Sequence, residues 1–433
     1  MMERATTRLV RSATRLLSIE RDEIAAAAWA FAWFFLVLFA YYVLRPVRDT
    51  MAITSGRETI KWLFLATFVT MLPAVPLYAL LVARLPRRTL VPVLYHFLSL
   101  NLFGFWLMMR FGTPSMAPWT ARAFYVWVGV FGLYSVSILW SFLADVFSSE
   151  RGGRLFGLVA GGGTLGALCG SVVTGQFVEL LGVANLLLIP AVLLELALLC
   201  VRLLDRSSRH FGAPDPSDTG DGPRATGGGI MAGVTSVLRS RYLFRISAYL
   251  FLGTFCGSIM YCQQVEIVRT AISDDEGRTR LFANMNVVIQ ILSFCVQTLV
   301  TARFIRGLGL PATLCVLPLL CLAAFAGLSA APILAVLVTV QVARQAVVYA
   351  IAEPARIVLF TVVTREEKYK TKSFVDTVVF RGGETVGGQV FGGLSSLGLS
   401  LAAIAWTMLP IAILWAALGW VLGRQGLCYA RRR

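Results

Sequence analysis

The chain has 433 residues, of which 57% are hydrophobic and 14% are charged, and its mean hydropathy is +0.74. These values exclude an ordinary soluble globular protein. The formal net charge of +16 does not indicate a nucleic-acid partner. Most arginines and lysines lie at the ends of apolar stretches, where anionic lipid headgroups are the expected contact.

Apolar runs long enough to cross a bilayer recur along the whole chain. A transmembrane helix needs about 20 mainly apolar residues. The sequence therefore predicts an all-α membrane protein with twelve transmembrane helices in two six-helix bundles. The predicted spans lie at about residues 24–44, 61–83, 90–109, 121–147, 155–180, 184–203, 243–265, 281–301, 311–329, 332–362, 373–395 and 400–422.

The distribution of basic residues predicts the orientation in the membrane. Arginines cluster before the first span, after the second, fourth and eighth spans, and in the tail, whereas the loops near 181–184, 329–332 and 396–400 have no lysine or arginine. Basic loops stay on the cytoplasmic side. We therefore expect cytoplasmic termini in a multi-pass protein of the cell membrane, with a bacterial inner membrane as the expected location. The first span has no small-residue cleavage pattern, so we interpret it as retained.

A long segment rich in Pro, Gly, Ser, Asp and Arg separates the two sets of spans and cannot bury a core. The predicted organisation has five parts. They are a cytoplasmic N-terminal segment 1–23, an N-terminal six-helix bundle 24–204, a cytoplasmic linker 205–242, a C-terminal six-helix bundle 243–423 and a cytoplasmic basic tail 424–433.

The two halves resemble each other. ARLPRRTLVP, from Ala83, follows the second span, and ARFIRGLGLP, from Ala302, follows the eighth span with the same Ala-Arg start and final Pro. Such a six-plus-six repeat is typical of transporters whose bundles rock around a midplane site. The layout resembles the major facilitator superfamily, although ARLPRR lacks the Gly and Asp of that family's basic motif.

Glycines recur four residues apart in the fifth and eleventh spans. Gly162, Gly166 and Gly170 share one face, and Gly383 and Gly387 repeat the pattern. Small residues at this spacing let helix backbones approach closely. No Gly-Lys-Ser/Thr follows, so GGGTLG is not a nucleotide-binding loop. We predict close helix packing at both places.

Polar side chains recur along the tenth span at steps of four, four, four and three residues, which places them on one helix face. A charged side chain at a helix centre costs about 2.5–3.5 kcal/mol on insertion scales, so it needs a role. Pro354 removes a backbone hydrogen bond and predicts a kink. The alternative is a purely structural hydrogen-bond network between helices. The stripe consists of Gln341, Gln345, Tyr349, Glu353 and Arg356.

The fourth and eighth spans carry similar polar stripes, which together with the tenth predict a water-filled central cavity. Asp145 lies on the fourth-span stripe, near Arg151 and Arg154. For these three residues a solvated loop that closes a gate is the structural alternative, and for Lys372 and Asp376 it is a simple pair within one helix.

Seven of eight cysteines lie within spans, and the two histidines form no ligand cluster, so we predict neither a metal nor another cofactor.

The first half resembles the ATP/ADP translocases, the nucleotide transporters of plastids and obligate intracellular bacteria. LRPVRDTMAIT looks like that family's Leu-Arg-Asp-x-Lys-Asp segment, which puts Arg48 at the position of a substrate-critical lysine, beside Arg45 and Asp49. FLADVF resembles Phe-Ala-Asn-Glu-Ile, which puts Asp145 at a functional glutamate. The resemblance implies that these residues contact the substrate.

In the second half, AEPAR looks like the family's Asp-Pro-x-Lys and places Glu353 and Arg356. KTKSFVDTVVFRGGE resembles Lys-Gly-Lys-Ala-Ala-Ile-Asp-Val-Val, which puts Lys372 on a second important lysine and Asp376 on the aspartate, with Arg381 nearby. Arginine in place of lysine is a departure, because a guanidinium grips phosphate bidentately whereas an ammonium is a point charge.

Physical chemistry and resemblance together predict a transporter that exchanges small anionic, phosphorylated solutes across the lipid bilayer, with ATP and ADP as candidates. Two alternatives remain, a proton-coupled carrier of a non-nucleotide solute and a non-transporting receptor or scaffold. An enzyme is disfavoured because the sequence has no nucleophile motif and no soluble domain. The sequence does not fix the exact substrate, the direction of transport or the oligomeric state.

Overall fold

A computed structural model of the chain describes residues 23–208, 235, 237–360 and 374–431. Within these ranges the regular secondary structure is helical. Residues 1–22 of the predicted N-terminal segment, most of the predicted linker and Lys372 lie outside the described residues. The predictions made for them therefore stay predictions.

Twelve long helices follow one another in the described chain. In the first half they are α1 Ile24–Thr54, α2 Ile60–Arg84, α3 Arg87–Phe111, α4 Ala117–Val146, α5 Ser149–Asn185 and α6 Leu188–Ser207. In the second half they are α7 Arg241–Ala271, α8 Asp275–Val296, α9 Ala302–Ala330, α10 Leu334–Val347, α11 Phe380–Ser396 and α12 Leu401–Arg431.

Three π-helical turns extend these helices. Gln297–Thr301 follows α8, Val375–Val379 precedes α11, and Val348–Ala352 joins α10 to a continuation at Glu353–Leu359. α9 is interrupted at Gly309, where φ of +74° is a left-handed conformation that favours glycine. This break follows Arg306 and precedes Pro311. It therefore falls within ARFIRGLGLP, the segment that matches the short connection between α2 and α3.

Ten of the helical stretches in the described residues are long and apolar enough to cross a bilayer. α6 is not among these ten because its 20 residues include the charged side chains Glu195, Arg202 and Asp205. α11 is not among the ten; even with the π turn before it, this stretch is too polar, since it contains Asp376, Arg381 and Glu384. The structure is thus an all-α membrane protein, as predicted, with ten of the twelve predicted spans matched by composition and length.

The chain forms two compact units. Unit 1 comprises residues 1–48, 75–120 and 127–224, and unit 2 comprises residues 49–74, 121–126 and 225–433. Each unit has an aromatic core with a buried hydrogen bond. In unit 1 the indole N–H of Trp33 donates to the hydroxyl of Tyr95 at 3.0 Å, and in unit 2 the hydroxyl of Tyr249 donates to the carbonyl of Leu314 at 2.7 Å. The six-plus-six division at the linker stays a prediction.

The glycine prediction is confirmed in both units. In unit 1, Cβ atoms added at Gly162, Gly166 and Gly170 of α5 would collide with backbone carbonyl oxygens of α1. In unit 2, Cβ atoms at Gly383 and Gly387 of α11 would collide with the backbone and hydroxyl groups of α7. The fifth helix of each half therefore packs backbone to backbone on the first helix of that half.

The tightest of these contacts gives a stability prediction. Gly166→Ala places a methyl group against the carbonyl oxygen of Phe35, so we expect a loss of about 1–3 kcal/mol in unfolding free energy, the usual cost of overpacking. Gly157→Ala is the control on the same helix, because a Cβ there meets nothing within 4 Å. Thermal unfolding in detergent should show a lower midpoint for the first variant alone. Equal midpoints would mean that α5 and α1 are not packed this closely.

Candidate functional site

An arginine lies at membrane depth in α10. Arg344 is ten residues from the start of the helix, which is about 15 Å along its axis. The hydrocarbon core is about 30 Å thick, so this position is near its middle. The Nε of Arg344 donates to the Oε1 of Gln341 at 2.8 Å, and its Nη2 donates to the Oε1 of Gln345 at 3.0 Å. These two glutamines therefore fix the plane of the guanidinium.

A second helix supports this arrangement from α7. The Nε2 of Gln341 donates to the Oε1 of Gln264 at 2.6 Å, and both glutamines are buried. The Cα of Gly257, also in α7, lies so near that an added Cβ would be 3.4 Å from the Nη1 of Arg344. The supporting amides are neutral. They orient the guanidinium by accepting hydrogen bonds from its N–H groups.

The structure places two members of the predicted polar stripe of the tenth span together and adds a residue that the prediction omitted. Gln341 and Gln345 do share a site, but the residue that joins them is Arg344, which was not predicted. The predicted stripe followed steps of four residues, from Gln341 to Gln345, and therefore did not include Arg344. An arginine at the centre of a 31-residue apolar span was the signal that could have found it. The π-helical turn Val348–Ala352 adds a residue to the helix between Gln345 and Glu353.

Pro354 was predicted to kink the tenth span. The helix is distorted just before this proline, in the π-helical turn Val348–Ala352. A proline has no N–H, so in an α-helix Pro354 would leave the carbonyl of Ala350 without its usual donor. Here the hydroxyl of Thr301 donates to that carbonyl at 2.7 Å. Thr301 ends the π-helical turn that follows α8. Threonine hydroxyls and π turns are the usual means by which membrane helices satisfy backbone groups freed by proline. The two π turns thus meet at this hydrogen bond.

This contact can be tested by removing one hydroxyl. Thr301→Val keeps the shape of the buried side chain but leaves the carbonyl of Ala350 without this donor, which should cost about 1–3 kcal/mol of unfolding free energy. Thr339→Val is the control, because that exposed hydroxyl bonds only within its own helix, to the carbonyl of Ala335 at 2.9 Å. Denaturant unfolding of the two variants should separate them. Equal unfolding free energies would mean that the hydrogen bond of Thr301 does not stabilise the fold.

The cytoplasm-directed end predicted for α10 carries a cluster of ion pairs in unit 2. Arg356 binds Glu353 at 3.4 Å and Asp376 at 2.7 Å. Arg381 binds Glu384 at 2.9 Å. Asp376 therefore has an ion pair with Arg356 from another helix, whereas the structural alternative gave it Lys372 from its own.

Unit 1 holds Arg45, Arg48 and Asp145. Asp145 forms an ion pair with Arg87, and the backbone carbonyl of Ser141 also accepts from Arg87. Arg45 donates to the hydroxyl of Tyr42 at 3.3 Å and lies over the ring. Arg48 is half-buried.

Arg151 and Arg154 are not grouped with Asp145 as the gate-loop alternative supposed. Both bind the buried carboxylate of Glu23, at 3.2 and 2.7 Å. Glu23 is fully buried, so two arginines offset the cost of its desolvation. This pairing joins the start of α1 to the start of α5 within unit 1. Sequence analysis missed Glu23 because it stands alone before the first apolar run.

Asp49 belongs to unit 2 together with Gln345, Tyr349, Glu353, Arg356, Asp376 and Arg381. The hydroxyl of Tyr261 in α7 donates to the carboxylate of Asp49 at 2.9 Å. One residue later, the hydroxyls of Thr50 and Thr279 share a hydrogen bond of 2.7 Å. Asp49 is thus fixed by α7. Its proposed pairing with Arg48 stays a hypothesis.

Solved structures with a similar fold are transporters. A bacterial homolog of the human lysosomal transporter Spinster, inward-facing and unoccupied, matches with a TM-score of 0.57 at 14% identity over 95% of this chain and 99% of that chain. An auto-inhibited peptide transporter of the POT family matches with a TM-score of 0.64 at 14% identity over 94% and 97%. The nucleoside transporter NupG matches with a TM-score of 0.58 at 14% identity over 93% and 99%.

The chain has a major-facilitator-like fold. The likeness covers nearly the whole length of each protein, so the expected superfamily layout is confirmed as a fold. No protein-family model matches the chain, and no curated protein matches it. The resemblance to ATP/ADP translocases therefore rests on the short sequence motifs alone.

Proposed function

We propose that the protein is a secondary transporter that moves a small anionic, phosphorylated solute across the membrane by alternating access. The observation that carries this proposal is Arg344, a guanidinium at membrane depth that is oriented by Gln341 and Gln345. Ionisable residues at this depth are rare and usually mark a substrate or ion pathway. A major-facilitator-like fold supplies the scaffold in which such a pathway runs between two bundles.

The chemistry of Arg344 favours an anion with several oxygen acceptors. A guanidinium presents its N–H donors in a plane, and this arrangement matches the oxygens of phosphate or carboxylate. In a low-dielectric site the attraction between opposite charges is several times that in water. Amide oxygens orient the guanidinium of Arg344. A phosphorylated solute is therefore a better fit than a neutral one.

The resemblance to ATP/ADP translocases adds the nucleotide hypothesis and exchange. In this proposal Arg48, Lys372 and Arg356 contact the phosphates, and Arg45 and Arg381 supply further positive charge. The acids Asp49, Asp145, Glu353 and Asp376 hold basic groups when no substrate is bound. The ion pairs of Arg356 with Glu353 and Asp376 support this step. Substrate arrival would release the acids, which couples entry of one anion to departure of another.

A second candidate is a proton-coupled carrier of a non-nucleotide solute. Glu353 and Asp376 both pair with Arg356, and protonation of either carboxylate would change that cluster without any anion. One similar structure is a POT family transporter in complex with 5-aminolevulinic acid, a TM-score of 0.64 at 12% identity over 92% of this chain and 96% of that chain. A non-transporting receptor or scaffold is the third candidate.

Exchange in proteoliposomes separates these functions. Vesicles loaded with ADP should take up labelled ATP, and vesicles without internal nucleotide should not. An imposed pH gradient should leave the initial rate unchanged. Uptake that needs the pH gradient and no internal anion would favour the proton-coupled carrier. Folded protein that takes up no anion under either condition would favour the receptor.

Arg344 provides the sharpest mutational prediction. Arg344→Gln removes the charge and should lower uptake by about 10- to 150-fold, the equivalent of losing a charged hydrogen bond worth about 1.5–3 kcal/mol. Arg344→Lys keeps the charge without the planar donors and should retain an intermediate rate.

Arg110→Gln is the matched control, because this exposed arginine lies at the end of α3 over the ring of Phe111. It should transport at the normal rate. Unfolding midpoints of all three variants show which of them are folded. Normal uptake by a folded Arg344→Gln variant would place the anion site elsewhere.

A further inference from the structure

A histidine and a glutamate form a hydrogen-bonded pair on the outside of unit 1. The Nδ1 of His96 in α3 lies 3.0 Å from the Oε1 of Glu195 in α6. Both side chains are unusually open, with 56% of His96 and 45% of Glu195 exposed. The pair is separate from the residues proposed for transport.

The depth of this pair in the membrane follows from a neighbouring ion pair. Arg88 and Asp205 join the same two helices at 2.8 Å, at the start of α3 and the end of α6. His96 is eight residues beyond Arg88 and Glu195 is ten residues before Asp205, which is about 12–15 Å along the helices. If the Arg88 pair lies at the headgroups, the His96 pair lies near the middle of a core about 30 Å thick.

The surroundings of the pair are apolar and open. We define the α3–α6 face as His96 and Glu195 together with the exposed apolar side chains that flank them. These are Val93, Phe97 and Leu100 on α3 and Val192, Leu196 and Leu199 on α6. Such a surface faces lipid, yet lipid offers no partner for an imidazole or a carboxylate.

The corresponding helices of the second half, α9 and α12, are not joined by a charged pair at this depth. α9 and α12 pack on each other in unit 2. Residues 307–330 and 401–423 of these helices contain no Asp, Glu, His, Lys or Arg. An outer helix pair of this fold therefore does not need a charged pair to assemble. Within transmembrane segments, ionisable residues almost always face a protein interior or water. In unit 1, His96 and Glu195 are instead exposed on the surface.

We propose that the α3–α6 face binds the same face of a second copy of this chain. A twofold axis brings each residue of the face opposite its counterparts, so the His96 of one protomer can meet the Glu195 of the other. The face is complementary to itself because it carries one base and one acid. Interhelical polar contacts of this type stabilise helix association in membranes.

The shape of the face also permits close approach. Gly104 lies two turns beyond His96 on α3, and a Cβ added there meets nothing within 4 Å. A small residue farther along the same helix leaves room there for a helix of the second copy. The same helices would then exclude lipid from His96 and Glu195, which removes the cost of leaving them in hydrocarbon.

Two charge-exchange variants test the pairing directly. His96→Glu makes the face all acidic, and Glu195→His makes it all basic. Each variant alone should be monomeric, because like residues meet across the axis. An equal mixture of the two should dimerise again, because acid then faces base at both contacts. Single-molecule photobleaching in liposomes, over a range of protein-to-lipid ratios, counts the copies. The wild type should show concentration-dependent pairs, and each single variant should shift the dimerisation midpoint at least tenfold.

A bulky substitution provides the matched control for position. Leu100→Trp on the α3–α6 face should prevent pairing, whereas Leu319→Trp on the exposed side of α9 should not. The double variant His96→Leu with Glu195→Leu suits lipid and shows whether the protein folds without the pair. A wild type that stays monomeric at every density overturns the proposal. So does a dimer that survives both Leu100→Trp and the single charge variants, since it must use another surface.

Discussion

The central constraint on this chain is that a bilayer has no water to satisfy polar groups, so each must find its partner inside the protein. Arg344 shows how the constraint shapes unit 2. Its guanidinium is oriented by Gln341 and Gln345, and Gln264 extends the hydrogen bonds from α10 to α7. Two amides therefore orient the guanidinium directly, and the third holds one of those two in place. A guanidinium oriented in this way is suited to recognising an anion.

The same constraint explains the irregular backbone near the proposed site. Pro354 removes one N–H from the α10 region, and Thr301 supplies a hydroxyl to the carbonyl that this N–H would have served. The two π turns joined by that bond separate the Arg344 network from the Arg356 cluster. Elsewhere, the glycine faces of α5 and α11 show where backbones pack most closely, against α1 and α7. One helix, α7, thus carries both a fixed polar group, Gln264, and a close glycine contact.

Sequence patterns predicted the fold well because bilayer thickness and helix geometry leave few choices for an apolar chain. They also predicted the glycine contacts, which depend only on spacing. The site was harder to predict because its partners lie far apart in sequence. Gln264 meets Gln341 and Asp49 meets Tyr261 through tertiary packing. Arg344 was missed because a stripe drawn in steps of four from Gln341 includes Gln345 and not the arginine beside it.

The central claim is that recognition requires the negative charge of the solute. The direct measurement is the ligand-induced shift in unfolding temperature of the purified wild-type protein with adenosine, AMP, ADP and ATP at equal concentrations. A ligand that binds only the folded state raises this temperature, and at equal concentrations a tighter ligand raises it more. The account predicts no shift with neutral adenosine and clear shifts with the phosphorylated forms. An equal shift with adenosine would contradict it, because the site would then recognise the nucleoside and not the anion.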